Sequence, residues 1–200
     1  MTPGLRERKK LATRTALHLA ALQLVSERGL DGVSVDDIAA RADVSPRTFF
    51  NYFPTKDDAV LGLDPADASL AAERFAARPA DEDPVTALRA VQAEQSAAMA
   101  DEPEGLWPLR LRVVEEHPVL LARLHATFGA SERAVAEAVA ARTGTRVGVD
   151  AYPPLLAAVA ATTLRTSLHR WLTADFAVPL PDLVDEAWDV LAAGLPAPRP

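Results

Sequence analysis

The stretch SPRTFFNYFPTKDD, residues 45–58, decides the fold of this 200-residue chain. Four of the eleven aromatic residues in the sequence fall within five positions of it. On a helix that turns by about 100° per residue, Phe49 and Phe53 share one face, so we expect both rings to be buried. If the rings served only to form a small core, that would explain the apolar composition of this face but not the polar composition of the opposite face. The opposite face is expected to carry Arg47, Thr48, Asn51 and Tyr52.

The residues before this stretch complete the pattern of a helix-turn-helix. A capping box of Ser34 and Asp37 opens a short helix. Asp43 follows in the turn, where the backbone often has to be left-handed and aspartate tolerates that conformation. Ser45 and Pro46 suit the N-cap and the first position of the second helix. In such a unit the first helix braces the second, which enters a DNA major groove about 12 Å wide.

The outward side chains have the chemistry that DNA recognition needs. Arg47 can form a bidentate contact with guanine, Asn51 can do so with adenine, and Thr48 can contact thymine. The first amides of the second helix, near Ser45, can hold a phosphate, and Lys56 is expected to hold another. The predicted DNA-binding residues are Ser34, Ser45, Pro46, Arg47, Thr48, Asn51, Tyr52 and Lys56.

The distribution of charge is uneven along the chain. The net charge is −7, but residues 1–60 carry +1 and residues 61–200 carry −8. Because DNA responds to the local potential within a Debye length of ~8–10 Å, an acidic protein can still bind it through a basic end. A solvated, partly frayed arm is the alternative for the basic N-terminus. This basic arm consists of Arg6, Arg8, Lys9, Lys10 and Arg14.

Helix signals dominate the chain and predict an all-α fold. Leu17, Ala21, Leu24 and Val25 have the spacing of one buried helix face, and Gly29 follows where a C′ glycine belongs. Later helices open at proline after aspartate, and no strand pattern stands out. The first helix is predicted over residues 6–28.

Composition and motifs exclude several classes of protein. The absence of cysteine removes disulfides and sulfur-ligated zinc, which favours the cytoplasm. Residues 1–30 lack the apolar core of a signal peptide, and the longest uncharged run, residues 151–164, is too short to cross a membrane. The four histidines lack metal-ligand spacing, and no nucleophile–base motif or phosphate loop is present. We therefore expect no enzyme, metal, cofactor or membrane segment.

The last two predicted helices have the composition of a dimer interface. Residues 154–172 are apolar almost all round as far as Leu164, as in a helix buried on more than one side. With residues 182–194 they are expected to form half of an intersubunit four-helix bundle, with a monomeric core as the alternative. The apolar stripe of the final helix is predicted to be Leu183, Ala187, Val190 and Leu191.

A ligand site is expected where apolar and polar groups converge in the C-terminal part. Arg165 interrupts an apolar helix, so it can pair with an anionic ligand, form an intersubunit ion pair, or extend to solvent. The predicted ligand-binding residues are Trp107, Arg110, His125, Phe128, Thr162, Arg165 and His169.

The segment VDDIAARADVSPRTFFNYFPTKDDAV resembles the helix-turn-helix of the TetR family of bacterial transcriptional repressors. The resemblance covers residues 11–61. It implies a homodimer that binds a double-stranded DNA operator and is released by a small-molecule effector. It also implies a DNA-binding domain over residues 1–53 and a helical ligand-binding and dimerisation domain over residues 54–200.

One position departs from the family pattern. Phe50 replaces a tyrosine that bonds a phosphate in most members, and Tyr52 is expected to replace that contact in part. The double phenylalanine resembles an actinobacterial branch that includes regulators linked to mycofactocin, some of which respond to long acyl thioesters. A hydrophobic effector is therefore expected. The alternative function is an effector-free architectural or occlusion factor that acts through a protein partner.

Overall fold

The computed structural model describes residues 4–62, 67–101 and 106–197, and within these ranges it contains ten helices and no strand. The predicted all-α fold is therefore confirmed. The helices are α1 Leu5–Arg28, α2 Val35–Arg41, α3 Pro46–Phe50, α4 Lys56–Leu61, α5 Asp67–Ala77, α6 Pro84–Ala100, α7 Leu106–Glu116, α8 Pro118–Thr143, α9 Tyr152–Thr173 and α10 Leu180–Ala192.

The chain divides into two compact units. The first comprises Met1–Pro65 and Pro108–Leu124, and the second comprises Ala66–Trp107 and His125–Pro200. Helices α7 and α8 each contribute residues to both units. Helix α4 belongs to the first unit, where it packs against α1.

The core of the first unit forms around the predicted face of α1. Its residues Leu17, Ala21, Leu24 and Val25 are all buried, as the spacing predicts. The helix ends at Arg28, and Gly29 takes the left-handed conformation with φ 74°, which glycine adopts at no steric cost.

Helix α3 is shorter than the sequence predicts, since the expected helix covers residues 45–53. Helix α3 ends at Phe50, and Asn51 is its C-cap. The amides of Tyr52 and Phe53 still donate to the carbonyl of Phe49, at 2.9 and 3.0 Å, so the chain makes one further turn. Because Phe53 precedes a proline, the helical conformation is disfavoured there and α3 cannot continue.

In the second unit, a buried polar network joins α6, α9 and α10. The Gln92 side-chain amide donates to the carbonyl of Ala160 at 2.6 Å and accepts from the indole N–H of Trp188 at 2.9 Å. All polar atoms of this network are paired, so the network fixes the rotation of α10. The buried side of α10 consists of Leu180, Leu183, Val184 and Trp188.

The buried side of α10 therefore differs from the predicted apolar stripe. Val190 is 43% exposed, whereas Trp188, which the prediction left out, is buried. Arg89 on α6 binds Asp185 and Asp189 of α10, with N–O distances of 3.1 and 2.6 Å. Packing of the tryptophan against Gln92, together with this ion pair, turns the valine outward.

Helix α4 is tied to its surroundings through its first turn. Its first residue, Lys56, donates from Nζ to the carbonyls of Leu30 and Val33 at 2.6 and 3.0 Å. The guanidinium of Arg123 forms two hydrogen bonds of 3.0 Å with the carboxylate of Asp58. The position of α4 is thus set by partners distant in sequence.

The imidazole of His18 is buried beside α4 in its neutral form. Its Nδ1–H donates to the carbonyl of Ala59 at 2.7 Å, whereas Nε2 is buried without a partner among the described residues. Burial, and then the positive charge of Arg110, lowers the pKa of His18 from 6.5 to about 3. The folded protein therefore excludes a proton that the unfolded chain binds below pH 6.5.

Acid is expected to destabilise the protein through His18. Because its folded pKa is depressed, the stabilisation is complete above pH 6.5 and falls by ~1.4 kcal/mol per pH unit as the pH drops toward 3. At pH 5 the loss is about 2 kcal/mol. Urea unfolding at pH 7.5 and pH 5.0 measures this loss of unfolding free energy. The control is His18→Gln, whose side chain does not titrate at position 18. Equal pH dependence in both proteins would show that His18 contributes nothing.

Replacing Lys56 by methionine is expected to lower the free energy of unfolding by about 1–3 kcal/mol, because two carbonyls lose their charged donor. Methionine keeps the length and the apolar stem of the side chain. The matched control is Lys10→Met, at an exposed position, which should change the free energy by less than about 0.5 kcal/mol. Urea unfolding of both variants at pH 7.5 is the measurement, and equal stabilities would contradict the structural role of Lys56.

Candidate nucleic-acid interface

Helices α2 and α3 form the predicted helix-turn-helix, and their connection has the expected backbone. Asp43 is left-handed, with φ 54°, which confirms the prediction for this turn position. Its amide donates to the carbonyl of Ala40, and the amide of Val44 donates to that of Ala39 at 3.0 Å. These bonds close the C-terminus of α2 and direct the chain into α3.

The predicted capping serines start both helices. The Ser34 hydroxyl oxygen accepts from the amide of Asp37 at 3.1 Å, and the amide of Ser34 donates to the Asp37 carboxylate at 2.9 Å, which completes the capping box. The Ser34 hydroxyl also donates to that carboxylate. The two bonds that the carboxylate accepts, from the hydroxyl and then from the amide, lower the pKa of Asp37 below its ordinary value. Ser45 accepts from the amide of Thr48 at 3.1 Å, and the two hydroxyls are bonded at 2.9 Å. All three hydroxyls thus support local structure in the free protein.

The outward face of α3 differs in part from the predicted one. Phe49 and Phe53 are fully buried, as expected. Thr48 and Tyr52 are only half-buried, because at 100° per residue they lie beside the buried rings. The residues exposed on and directly after α3 are Pro46, Arg47, Phe50 and Asn51.

Phe50 is the residue of this face that the reasoning from hydrogen-bonding chemistry missed. Its ring is 58% exposed and meets the buried ring of Phe49 edge-on, with centroids 5.4 Å apart and planes at 88°. Phe50 lies four residues after Pro46 and three after Arg47. Because residues at these spacings share a helix face, the spacing could have predicted that Phe50 is exposed.

Two of the predicted DNA-binding cations have partners inside the first unit. Arg14 donates to the carbonyls of Tyr52 and Gly62 at 3.0 and 3.2 Å, and its guanidinium lies 4.3 Å from the centre of the Phe53 ring. Lys56 binds the two carbonyls described above. In the free protein the two cations thus supply donors that the carbonyls at these turns and helix ends need, and their phosphate contacts stay predictions.

The other described cations of the basic arm face solvent. Arg8, Lys9 and Lys10 are exposed on α1, and none of them forms an ion pair with another described residue. The side chain of Arg6 lies outside the described residues. Arg28 and Arg41 are exposed too but pair with Asp37 and Glu27, so within residues 4–62 the exposed cations without a described ion pair lie at the start of α1 and at Arg47.

The predicted ligand-binding residues are divided between the two units, with Arg110 in the first and the other six in the second. Thr162, Arg165 and His169 lie on the exposed face of α9, where Arg165 donates to the hydroxyl of Thr162 at 3.2 Å. His125 is exposed. Trp107 and Phe128 are half-buried, and the half-buried guanidinium of Arg110 donates to the carbonyl of Leu61.

A cavity of about 470 Å³ in the first unit is lined by residues 28–32 and 116–119, and by none of the seven predicted ligand residues. His117 lines it and is fully bonded, with Nδ1–H donating to Val113 at 2.7 Å and Nε2 accepting from the amide of Leu30 at 3.3 Å. The described residues contain no cluster of three or more metal-ligating side chains of the histidine, cysteine or carboxylate type. None of the helices in the described ranges is long and apolar enough to cross a membrane.

Comparison with protein families matches both parts of the chain. The family of bacterial regulatory proteins named tetR matches residues 18–61, which contain the helix-turn-helix. The MftR C-terminal domain matches residues 82–196, more than half of the chain.

Two similar proteins are named as transcriptional regulators. The transcriptional regulator TcmR of Streptomyces glaucescens is 35% identical over 176 residues, which cover 84% of this chain and 77% of TcmR. MftR of Mycobacterium tuberculosis, named as a regulator of mycofactocin biosynthesis, is 28% identical over 193 residues, or 94% and 93% of the two chains.

Solved structures share the fold at lower identity. SmeT of Stenotrophomonas maltophilia, in its complex with triclosan, has a TM-score of 0.61 and 21% identity, over 94% of this chain and 99% of SmeT. FadR of Bacillus subtilis, in complex with stearoyl-CoA, has a TM-score of 0.57 and 18% identity, over 90% and 98%. On the strength of the family matches and of TcmR, the chain belongs to the TetR family of bacterial transcriptional regulators, which are not enzymes.

Proposed function

We propose that two copies of this chain bind a pseudo-palindromic DNA operator in the cytoplasm as a homodimeric repressor, and that a small hydrophobic effector releases it. The observation that carries the proposal is the outward face of α3. Arg47 and Asn51 are exposed there, on a helix held from behind by the buried rings of Phe49 and Phe53. An arginine and an asparagine one helical turn apart match the edges of guanine and adenine in the major groove.

The exposed cations of α1 support binding to the DNA backbone. Arg8, Lys9 and Lys10 have no described carboxylate partner, so phosphates can neutralise them. Contacts of this kind hold the protein in register without reading sequence, while base contacts from α3 supply specificity. In a dimer, two such helices would enter successive major grooves ~34–36 Å apart.

The outer face of α9 supports dimerisation through a second copy. Leu155 is 62% exposed, and Tyr152 is also exposed on this face, next to Thr162 and Thr166. The inner face of the same helix is already covered by α6 and α10. An exposed apolar and hydroxyl-bearing stripe on a long helix suits the packing of a four-helix bundle made by two subunits.

This interface gives a role to polar residues that were predicted to line a pocket. Arg165 and His169 are exposed along the same helix, and the outward side of α10 carries Asp182 and Glu186. In a two-fold arrangement the arginine of one copy can pair with carboxylates of the other. We therefore assign Arg165 to the dimer interface, which was one of the three roles open to it from the sequence.

A hydrophobic effector is supported by the loose packing of α8 and by the structural neighbours. From His125 to Ala134 no side chain of α8 is buried, and the ring of Phe128 is only half-covered. An apolar ligand would gain free energy by covering such a surface. FadR binds stearoyl-CoA, whose acyl chain is long and apolar, and SmeT binds the apolar compound triclosan.

Selection of bound fragments from a random-sequence DNA library, followed by fluorescence-anisotropy titration, tests DNA recognition. Arg47→Ala is expected to weaken binding to the selected operator by about 1–3 kcal/mol for the lost contact and to relax the preference at one position in each half-site. Arg146→Ala, which removes an exposed arginine of the second unit, is the matched control. Unchanged affinity and preference in Arg47→Ala would refute the groove assignment.

The same titration tests release by an effector. Lauroyl-CoA, stearoyl-CoA and triclosan are the probes, added to the preformed complex at constant salt because binding to DNA depends on ionic strength. A saturable fall in anisotropy with one of them supports a ligand-responsive repressor. If none of the three releases DNA that is bound in a sequence-specific way, the hydrophobic-effector part of the proposal fails while DNA binding stands.

Leu155→Glu is expected to convert the dimer to monomers, because it would place two carboxylates in an apolar interface. Sedimentation-equilibrium analysis should show the dimer dissociation constant rising by at least about 100-fold, equivalent to ~2.7 kcal/mol. Val149→Glu, at an equally exposed valine in the loop before α9, is the control and should remain dimeric. A Leu155→Glu protein that stays dimeric would exclude this face as the interface.

A further inference from the structure

The outward face of α3 consists of two parallel rows with different chemistry. Pro46 and Phe50 are four positions apart and form an apolar row, and Arg47 and Asn51 form a polar row beside it. All four residues are exposed. The polar row suits hydrogen bonding to base edges, and the apolar row, Pro46 and Phe50, needs a different partner.

The ring of Phe50 is held in place before any DNA arrives. Phe49, against which it lies edge-on with the centroids 5.4 Å apart, is fully buried. A phenylalanine has only two side-chain torsions, so little conformational freedom remains to be lost on binding. The exposed 58% of the ring is apolar surface that a partner can remove from water.

The chemistry of the major groove limits what this row can recognise. Phenylalanine and proline side chains have no hydrogen-bond donor or acceptor, so they cannot bond a phosphate oxygen. Every base pair presents polar atoms in that groove, but among the four standard bases only thymine adds an apolar group, the methyl on C5. Phenylalanine is one of the side chains that contact this methyl group.

We propose that the ring of Phe50, which lies beside Pro46 in the apolar row, contacts the 5-methyl group of a thymine in each half-site and thereby determines a thymine preference in the operator. This inference rests on the proposed function, since it requires α3 to lie in the major groove. It assigns to Phe50 a base-reading role in place of the phosphate contact that a tyrosine would make.

Substitution of deoxyuridine for thymine tests the proposal on the full-length protein. Deoxyuridine keeps the pairing edge and the O4 acceptor of thymine and lacks only the methyl group. In the operator obtained by selection, each thymine is replaced in turn and binding is followed by anisotropy. We expect one position per half-site at which binding weakens about fourfold, and about fifteenfold when both half-sites are changed, from the loss of one buried carbon at each.

Variants at position 50 test whether the Phe50 ring causes the preference for thymine over deoxyuridine. Phe50→Ala should bind the thymine and deoxyuridine operators equally at that position, because the group that senses the methyl is gone. Phe50→Leu, which keeps an apolar side chain of similar reach, should retain a preference for thymine. Val149→Ala truncates an equally exposed apolar residue away from the helix-turn-helix and should leave the full discrimination intact. Circular dichroism checks that each variant is folded.

The outcomes separate this inference from the proposed function. A selection that enriches no sequence overturns the proposed function, and the inference falls with it. An enriched operator that is bound equally well with thymine or deoxyuridine at every position overturns the inference alone. So does a Phe50→Ala protein that still discriminates the two bases, because the methyl group would then be read by another residue.

Discussion

The burial of Phe49, in the five-residue helix α3, and of Phe53, in the turn that follows it, is the constraint on which the recognition surface depends. Two rings four positions apart can both reach the core in only one rotation of the helix, and that rotation determines which residues face solvent. The arginine at position 14 strengthens this arrangement, because its guanidinium covers the Phe53 ring and bonds the carbonyl of Tyr52. The turn that ends α3 is thereby fixed at the same time as its face.

The cations of the first unit fall into two groups: some bond backbone carbonyls, and others are exposed at the surface. Arg14 and Lys56 supply donors to four backbone carbonyls at helix ends and turns, where a shortage of donors would otherwise leave polar groups unpaired. Arg8, Lys9 and Arg47 remain at the surface. Because residues 1–60 carry a net charge of only +1, this division makes the positive potential local. A count of basic residues in the sequence therefore overstates the number whose side chains are free of backbone partners in the first unit.

Local chemistry made much of the fold predictable. The cap of Ser45, the left-handed Asp43 and the buried face of α1 all depend on residues within a few positions of one another, and all are confirmed. The partners of Lys56 lie 23 and 26 residues away, and no spacing rule could have identified them. Likewise, α9 is apolar almost all round, so only its packing on α6 and α10 shows that Thr162 and Arg165 face outward.

The exchange of tyrosine for phenylalanine at position 50 has a consequence for how recognition is divided. A hydroxyl on a phosphate fixes the register of a protein on DNA but is indifferent to sequence, whereas an apolar ring gains most where the groove offers an apolar group. In the proposed complex the sequence-independent contacts come from α1, where Arg8, Lys9 and Lys10 are exposed. On that proposal, the lack of a phosphate contact from Phe50 would cost register little, and it would leave the exposed residues of α3 free to act on base identity.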